Sequence, residues 1–400
     1  MRSELVLALA FCLGCGEGLP VLDGDAGVKV DSGPFAPGPH DPLPQAMNVS
    51  GTGGVLTTPT VVPIFYANDA LQSGIESLLA QMPSSSYWSA LESDYGVGPL
   101  AIAPSIVLSE APPQTASETD VITFIASKLG NDPAWPAPIP GTIYFMYYPS
   151  STTLTFSQVA TGCTDFAGYH YYGQTSPTSK FVFAVAARCD TGQVTPIDDT
   201  TQTTTHEIVE ASTDPFLLTY STMDAAHAVW ALFPGAELGD LCELESLSYQ
   251  RLVGNSLVAR FWSNSAAAAG HDPCAPAIDL PYFNSIPVLP DQIGVDLSGG
   301  TFLTSGVSVP TGTSKTIDVQ LFSDAPTGDW TVEADDAANF SSFTPGELQF
   351  AWDTTAGNNG DTLHLTITRV KDGPFGGTEF VIRSFASPTV WHLYMAYAGN

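Results

Sequence analysis

The stretch Thr204-Thr205-His206-Glu207-Ile208-Val209-Glu210-Ala211-Ser212-Thr213-Asp214-Pro215 carries the most chemistry in the chain. Read as a helix, it sets His206 and Glu210 on one face, because positions i and i+4 are neighbours on a helix surface. An imidazole and a carboxylate placed this way can hold one metal ion, with Glu207 beside them as a general base. A catalytic zinc takes three protein ligands and keeps a fourth position for water, whose pKa it lowers to about 7. The third ligand must come from elsewhere. Asp240 is the first candidate and Glu237 the second; in Glu237-Leu238-Gly239-Asp240 one carboxylate binds and the other orients His206. His170, in Gly168-Tyr169-His170-Tyr171-Tyr172-Gly173, is a rival ligand, or joins Tyr172 in supporting a substrate carbonyl.

The motif has a bland explanation too, since one helical histidine between carboxylates is often only hydrogen-bonded. A glutamate ligand also hardens the site, so calcium stands as the alternative to zinc. A carboxylate-pair glycosidase using Glu207 and Glu243 is a third reading, but nothing in the sequence fixes their separation. Gly-x-Ser-x-Gly, a phosphate-binding glycine loop and a dinucleotide fingerprint are all absent.

Positioning such a site needs a core, and 400 residues with 44% hydrophobic content supply one. The net charge of -30 repels phosphate backbones and excludes nucleic acid as a partner. Thr60 to Tyr66, Ile102 to Leu108, Thr142 to Tyr148 and Phe181 to Ala187 read as strands, the third apolar throughout and so central. Leu71 to Met82, Ser86 to Tyr95 and Ser117 to Leu129 read as helices, and Asp198 and Asp199 open the helix that carries His206. Strands alternating with helices predict a mixed domain around a buried central sheet, α+β in class, over 51–277. Residues 278–292 are proline-rich and read as a linker. Residues 293–400 show short alternating strands such as Thr316 to Leu321 and Thr362 to Ile367, the pattern of an immunoglobulin- or fibronectin-like β-sandwich.

At the N-terminus, Arg2 and the apolar run Leu5 to Leu13 read as an export segment over 1–15, too short to span a bilayer. Leu13-Gly14-Cys15 resembles a bacterial lipoprotein cleavage site, with Cys12 where leucine is usual. The expectation is therefore an exported chain, either secreted or held at the outer membrane or cell surface by lipid on Cys15. Residues 16–50 are rich in Gly, Pro and Asp and read as a disordered stalk. Cys163, Cys189, Cys242 and Cys274 remain, an even number in an exported chain, so two disulfides are expected. Three connectivities are possible. Cys163–Cys189 and Cys242–Cys274 are favoured because each pair is close in sequence and flanks a candidate-site segment.

Four separated motifs also carry a resemblance. Cys163-x-x-x-Phe166-x-Gly168-Tyr169-His170, Phe181 to Cys189, His206-Glu207-x-x-Glu210-Ala211-x-x-Asp214-Pro215 and Glu237-x-Gly239-Asp240-x-Cys242 occur in the order and rough spacing of the Exordium (phosphate-induced protein) family. The chain resembles a bacterial exported member of it over roughly Val55 to Cys274. The resemblance implies an extracellular location and disulfides. His-Glu-x-x-Glu is similar to the His-Glu-x-x-His helix of zincin metallopeptidases, with glutamate at the second histidine. The leading expectation is a monomeric, surface-anchored zinc metallopeptidase. His206, Glu210 and Asp240 or Glu237 hold the ion, Glu207 activates water, and a peptide or cell-wall component is the partner. The alternative is a non-enzymatic extracellular binding module with a structural metal or none.

Overall fold

In this computed structural model the described residues are 35–400 except 50–53, 177–178, 191, 193, 218, 233–236, 298–299, 337–345 and 373–375. The export segment 1–15 and most of the expected stalk lie outside the described residues.

Thr142–Tyr147 is buried at every position and occupies the centre of a mixed sheet. It pairs in parallel with Thr60–Tyr66 on one side and Ser179–Ala186 on the other. Gly168–Ser176 closes that second side as an antiparallel edge strand, pairing His170 with Ala184. Across the sheet, Ala101–Ile102 and Ile106–Leu108 both pair in parallel with Thr60–Tyr66. The single strand expected from Ile102 to Leu108 is broken near Pro104, which has no N–H for a ladder.

Helices cover both faces of the sheet, which is why its strands read as unbroken apolar runs. Val61, Phe65, Ile143 and Phe145 pack in one cluster with residues of α1 (Gln72–Gln81), α2 (Ser86–Tyr95) and α4 (Pro196–Thr213). Val62, Ile64, Tyr144 and Met146 pack on the other side with Val121 and Ile125 of α3 (Glu118–Lys128). Ser117 caps α3 in a reciprocal box. Its hydroxyl accepts from the Asp120 N–H at 3.2 Å, and the Asp120 carboxylate accepts from the Ser117 N–H at 2.9 Å. Two disulfides, Cys163–Cys189 and Cys242–Cys274, brace this region in the favoured pairing.

The C-terminal region is two stacked, largely antiparallel sheets. Phe283–Pro287, Ser314–Ser323, Thr362–Arg369 and Leu348–Trp352 form the first. The second runs from Asp291–Leu297 through Gly300–Ser308, Val390–Gly399, Gly377–Ser387 and Trp330–Asp336 to Ala356–Gly357. Phe283, Val319 and Leu365 of one sheet share a core with Trp330, Phe380 and Ala396 of the other.

Two boundaries are corrected. Residues 278–292 are not simply a linker, because Phe283–Pro287 is a sheet strand and Asn284 and Ser285 are fully buried. The described end of the expected stalk, 35–49, is packed rather than disordered. Gly38 N–H donates to Asn359 Oδ1 at 2.6 Å, Leu43 and Ala46 are buried, and Ala46–Asn48 pairs with Tyr220–Met223. Its few apolar residues are enough because they enter a core built by others.

The two regions also share one core, in which Ile286, Phe322 and Leu393 join Trp230 and Trp262. Polar contacts fix the joint. Trp230 Nε1 donates to the Met395 carbonyl at 2.9 Å, and His392 Nδ1 lies 3.0 Å from Glu245 Oε2. Burial opposes a charge on His392, but Glu245, with help from Asp272 and against Arg260, outweighs it and raises the histidine's pKa. A group whose folded pKa is raised stabilises the fold fully below its unfolded value and loses that contribution as pH climbs through the folded value. The urea midpoint should therefore fall as pH rises above the ordinary histidine value of about 6.5, and His392→Gln should shrink that fall. An identical pH profile in the variant would remove the pair from this role.

Candidate metal centre

The helix α4 begins at Pro196 after the cap residue Thr195, whose hydroxyl accepts from the Asp198 N–H at 3.3 Å. Six of its residues are threonine, a poor helix former, yet nearly the whole helix is buried. The hydroxyls explain the tolerance. Thr200, Thr203, Thr204, Thr205 and Thr213 each donate to the carbonyl four residues back, so they enter the core already satisfied. The helix stops at Asp214, because Pro215 disfavours helical backbone before it. Asp214 Oδ1 then accepts from the Thr219 N–H at 2.6 Å, and the Asp214 carbonyl faces His170 Nε2 at 3.0 Å.

Glu210 is the hub. Its Oε1 lies 3.1 Å from His206 Nε2 and its Oε2 lies 3.5 Å from His170 Nδ1. His206 Nε2 is also 3.4 Å from Asp240 Oδ1, and its Nδ1 faces Glu243 Oε1 at 3.4 Å. Glu207 Oε2 stands 3.8 Å from His170 Nδ1, and Glu237 Oε1 stands 3.9 Å from His170 Nε2. Asp240 and Glu243 arrive on the short helix α5 (Asp240–Glu243), tied down by the Cys242–Cys274 disulfide. Thus His206, Glu207, Glu210, His170, Glu237 and Asp240 lie together in one cluster. Tyr172 has no direct contact with them among the described residues; its ring stacks on Tyr171 and meets Phe216 edge-on, with Lys180 above it at 4.5 Å.

Glu243 is the member that sequence reading did not place in the metal site. Its signal was present: three residues after Asp240, it lies on the same face of a short helix. Its part is to face the far nitrogen of His206 while Nε2 faces the other carboxylates, the arrangement that orients a metal-binding imidazole. The Tyr249 hydroxyl donates to the same Glu243 oxygen at 3.2 Å.

Charge is the notable property of the cluster. Glu207, Glu210, Glu237 and Asp240 are at most 5% exposed. Among the described residues, no Lys or Arg pairs with any of them or with Glu243. Burial and the neighbouring Glu210 push Asp240 up to about 7 against the pull of His206. Burial likewise pushes Glu207 up to about 8, with His206 and His170 opposing. Glu237 and Glu243 rise for the same reasons. Glu210 behaves in the opposite way: burial disfavours its charge, but two imidazoles hold it well below the carboxylate range. Burial lowers the histidines too, yet the carboxylates win and lift His170 to about 10 and His206 well above its usual value.

The donor set fits a metal ion. Three sets of side chains place one ligand atom each within 4.8 Å of one another: His170, Glu210 and Glu237; His206, Glu207 and Glu210; His206, Asp240 and Glu243. Both oxygens of Asp240 and Oε2 of Glu207 are buried with no hydrogen-bond partner among the described residues. A cation would satisfy them and ionise their carboxyl groups. The backbone leaves room for these groups at Gly239, where an added Cβ would meet His206 Nδ1 at 2.7 Å and Glu210 Oε1 at 2.8 Å. The backbone there is helical, at φ −69° and ψ −48°, so a larger residue is excluded by space alone. Gly239→Ala should weaken divalent-ion binding by about 10-fold or more while unfolding stays cooperative. Titration calorimetry on the chelator-stripped protein checks this, and an unchanged affinity would mean His206 and Glu210 are not ligands.

No family model matches the chain, and no curated protein matches it. Among solved structures, part of the chain is similar to surface layer protein SbsC, domains 4–9, at 18% identity and TM-score 0.18, over 28% of this chain and 14% of that one. Part of the chain is also similar to a Bacteroides ovatus GH5 xyloglucanase in complex with a XXXG heptasaccharide, at 10% identity and TM-score 0.15, over 24% of this chain and 17% of that one. The chain thus spans less than a fifth of either structure.

Proposed function

We propose that this chain is an exported, metal-dependent hydrolase of the Exordium-like type, with zinc as the ion and a peptide as the substrate. One observation carries the reading: the His206-Glu207-x-x-Glu210 face of a buried helix meets Asp240 in a cluster that, among the described residues, contains no basic side chain but histidine. The mixed imidazole and carboxylate donors favour zinc over calcium, which prefers oxygen alone. In this reading a bound ion supplies Lewis-acid polarisation and an acidified water.

The side chains then have distinct tasks. His206, Glu210 and Asp240 hold the ion, and Glu243 keeps the His206 ring in place. Glu207 takes a proton from water and passes it to the leaving amine, a shuttle suited to a carboxylate whose proton affinity burial has raised. His170, steadied by the Asp214 carbonyl, holds Glu210 from the other side. Tyr172, Phe216 and Lys180 offer an aromatic and cationic rim on which a substrate chain can rest. The two disulfides support an oxidising, extracytoplasmic setting. A lipid anchor on Cys15 belongs to the same proposal.

A second reading is favoured by the depth of the cluster. With Asp240 fully buried and Glu207 and Glu210 at 2% exposure, the ion would serve the fold of a non-enzymatic surface module. Elemental analysis and Glu207→Gln separate the two. For the hydrolase, hydrolysis of a protein substrate should fall by about 100-fold or more while the metal stays bound. A metal-containing wild-type protein that hydrolyses no peptide, yet loses thermal stability on chelation, would leave only the structural role. Metal-free wild-type protein would defeat both.

A further inference from the structure

We propose that the cluster holds two cations, one at His170, Glu210 and Glu237 and one at His206, Asp240 and Glu243, with Glu210 bridging them. The proposal rests on the metal-binding reading above and changes its stoichiometry and its ligand roles.

Geometry makes the first case. These two ligand sets share no residue, and none of the three sets within reach of one ion contains both histidines. A single ion therefore leaves one imidazole without metal. Glu210 stands between them with its carboxylate split: Oε1 is 3.1 Å from His206 Nε2 and Oε2 is 3.5 Å from His170 Nδ1. A carboxylate that presents one oxygen to each of two imidazoles is placed to bridge two ions, which in such centres sit about 3.5–4 Å apart.

His170 supplies an independent argument. Its Nε2 faces a backbone carbonyl, that of Asp214, at 3.0 Å. A carbonyl only accepts, so Nε2 carries a proton, and a cation that displaces the Nδ1 proton would meet a lone pair already aimed at Glu210 and Glu207. A carbonyl behind one nitrogen and anionic oxygens before the other is the setting of a metal-ligating histidine. His206 likewise turns one nitrogen, Nε2, toward carboxylate oxygens of Glu210 and Asp240.

Charge supplies a third. In the deprotonated state that metal ligation requires, Glu207, Glu210, Glu237, Asp240 and Glu243 would carry five formal negative charges around two neutral imidazoles. One divalent ion leaves −3 in a nearly dry volume, and a second reduces it to −1. The unpartnered oxygens of Asp240 and Glu207, at 0% and 2% residue exposure, belong to this same volume. One imidazole and two or more carboxylates per ion suit zinc or manganese.

Chelator-stripped full-length protein, titrated with Mn²⁺ and with Zn²⁺ under equilibrium dialysis and elemental analysis, tests the stoichiometry. Two ions per chain are expected. Glu237→Gln and His170→Ala should each reduce the count to one, as should Asp240→Asn, with thermal melts showing that the variants fold. The manganese form should give the electron paramagnetic resonance signal of a coupled pair, lost in Glu210→Gln. One ion in the wild type, undiminished in Glu237→Gln and His170→Ala, would overturn the second site and leave the metal-dependent hydrolase standing. No bound ion would overturn both.

Discussion

Burying a carboxylate away from water costs roughly several kcal/mol even after the protein relaxes around it. This chain brings five together where, among the described residues, no lysine or arginine reaches them, and much of its architecture answers that expense. Glu210 stays ionised because two imidazoles flank it. Those imidazoles come from different elements, one from α4 and one from the edge strand of the sheet. The sheet, the helix and the disulfide-held turn at Asp240 must therefore dock together before the charges are met. Local stability and site assembly are the same event here.

The surrounding frame shows how a polar helix can be central. The α4 threonines return their hydroxyl protons to their own helix, which frees the rest of its surface to pack. Two hydroxyls join a neighbour: Thr201 turns its one proton to the Leu257 carbonyl at 2.7 Å, and Thr205 uses a lone pair to accept from the Ala259 N–H at 3.0 Å. The helix is thus stitched to the strand Leu257–Ala259 on one side while Ile208, Val209 and Ala211 enter the core. Little freedom remains for the face that carries His206 and Glu210.

Much of this was legible in the sequence. The apolar runs at Thr60 and Thr142 and the capped start at Ser117 declare themselves, because burial on both faces and capping leave strong local patterns. The i, i+4 spacing of His206 and Glu210 is equally local. The strand Gly168–Ser176 escaped notice because one of its faces serves the cluster: His170 replaces an apolar residue, and the strand lacks the alternation of a half-buried edge. Glu243 escaped for a different reason, since its meaning depends on which way the His206 ring is turned. Proline content misled at Phe283–Pro287, where Pro287 ends a strand pair rather than marking an unstructured joint. Contacts made by distant segments, such as 35–49 along the second region, leave no periodicity to read.

Those residues 35–49 have a mechanical consequence. Gly38 and Asp41 donate to side chains of the C-terminal region, Asn359 and Gln320, and Ala46–Asn48 pairs with Tyr220–Met223 in the mixed region. This segment is a strap laid across the joint between the two regions. Parting the two regions would have to break the bonds of this segment to both.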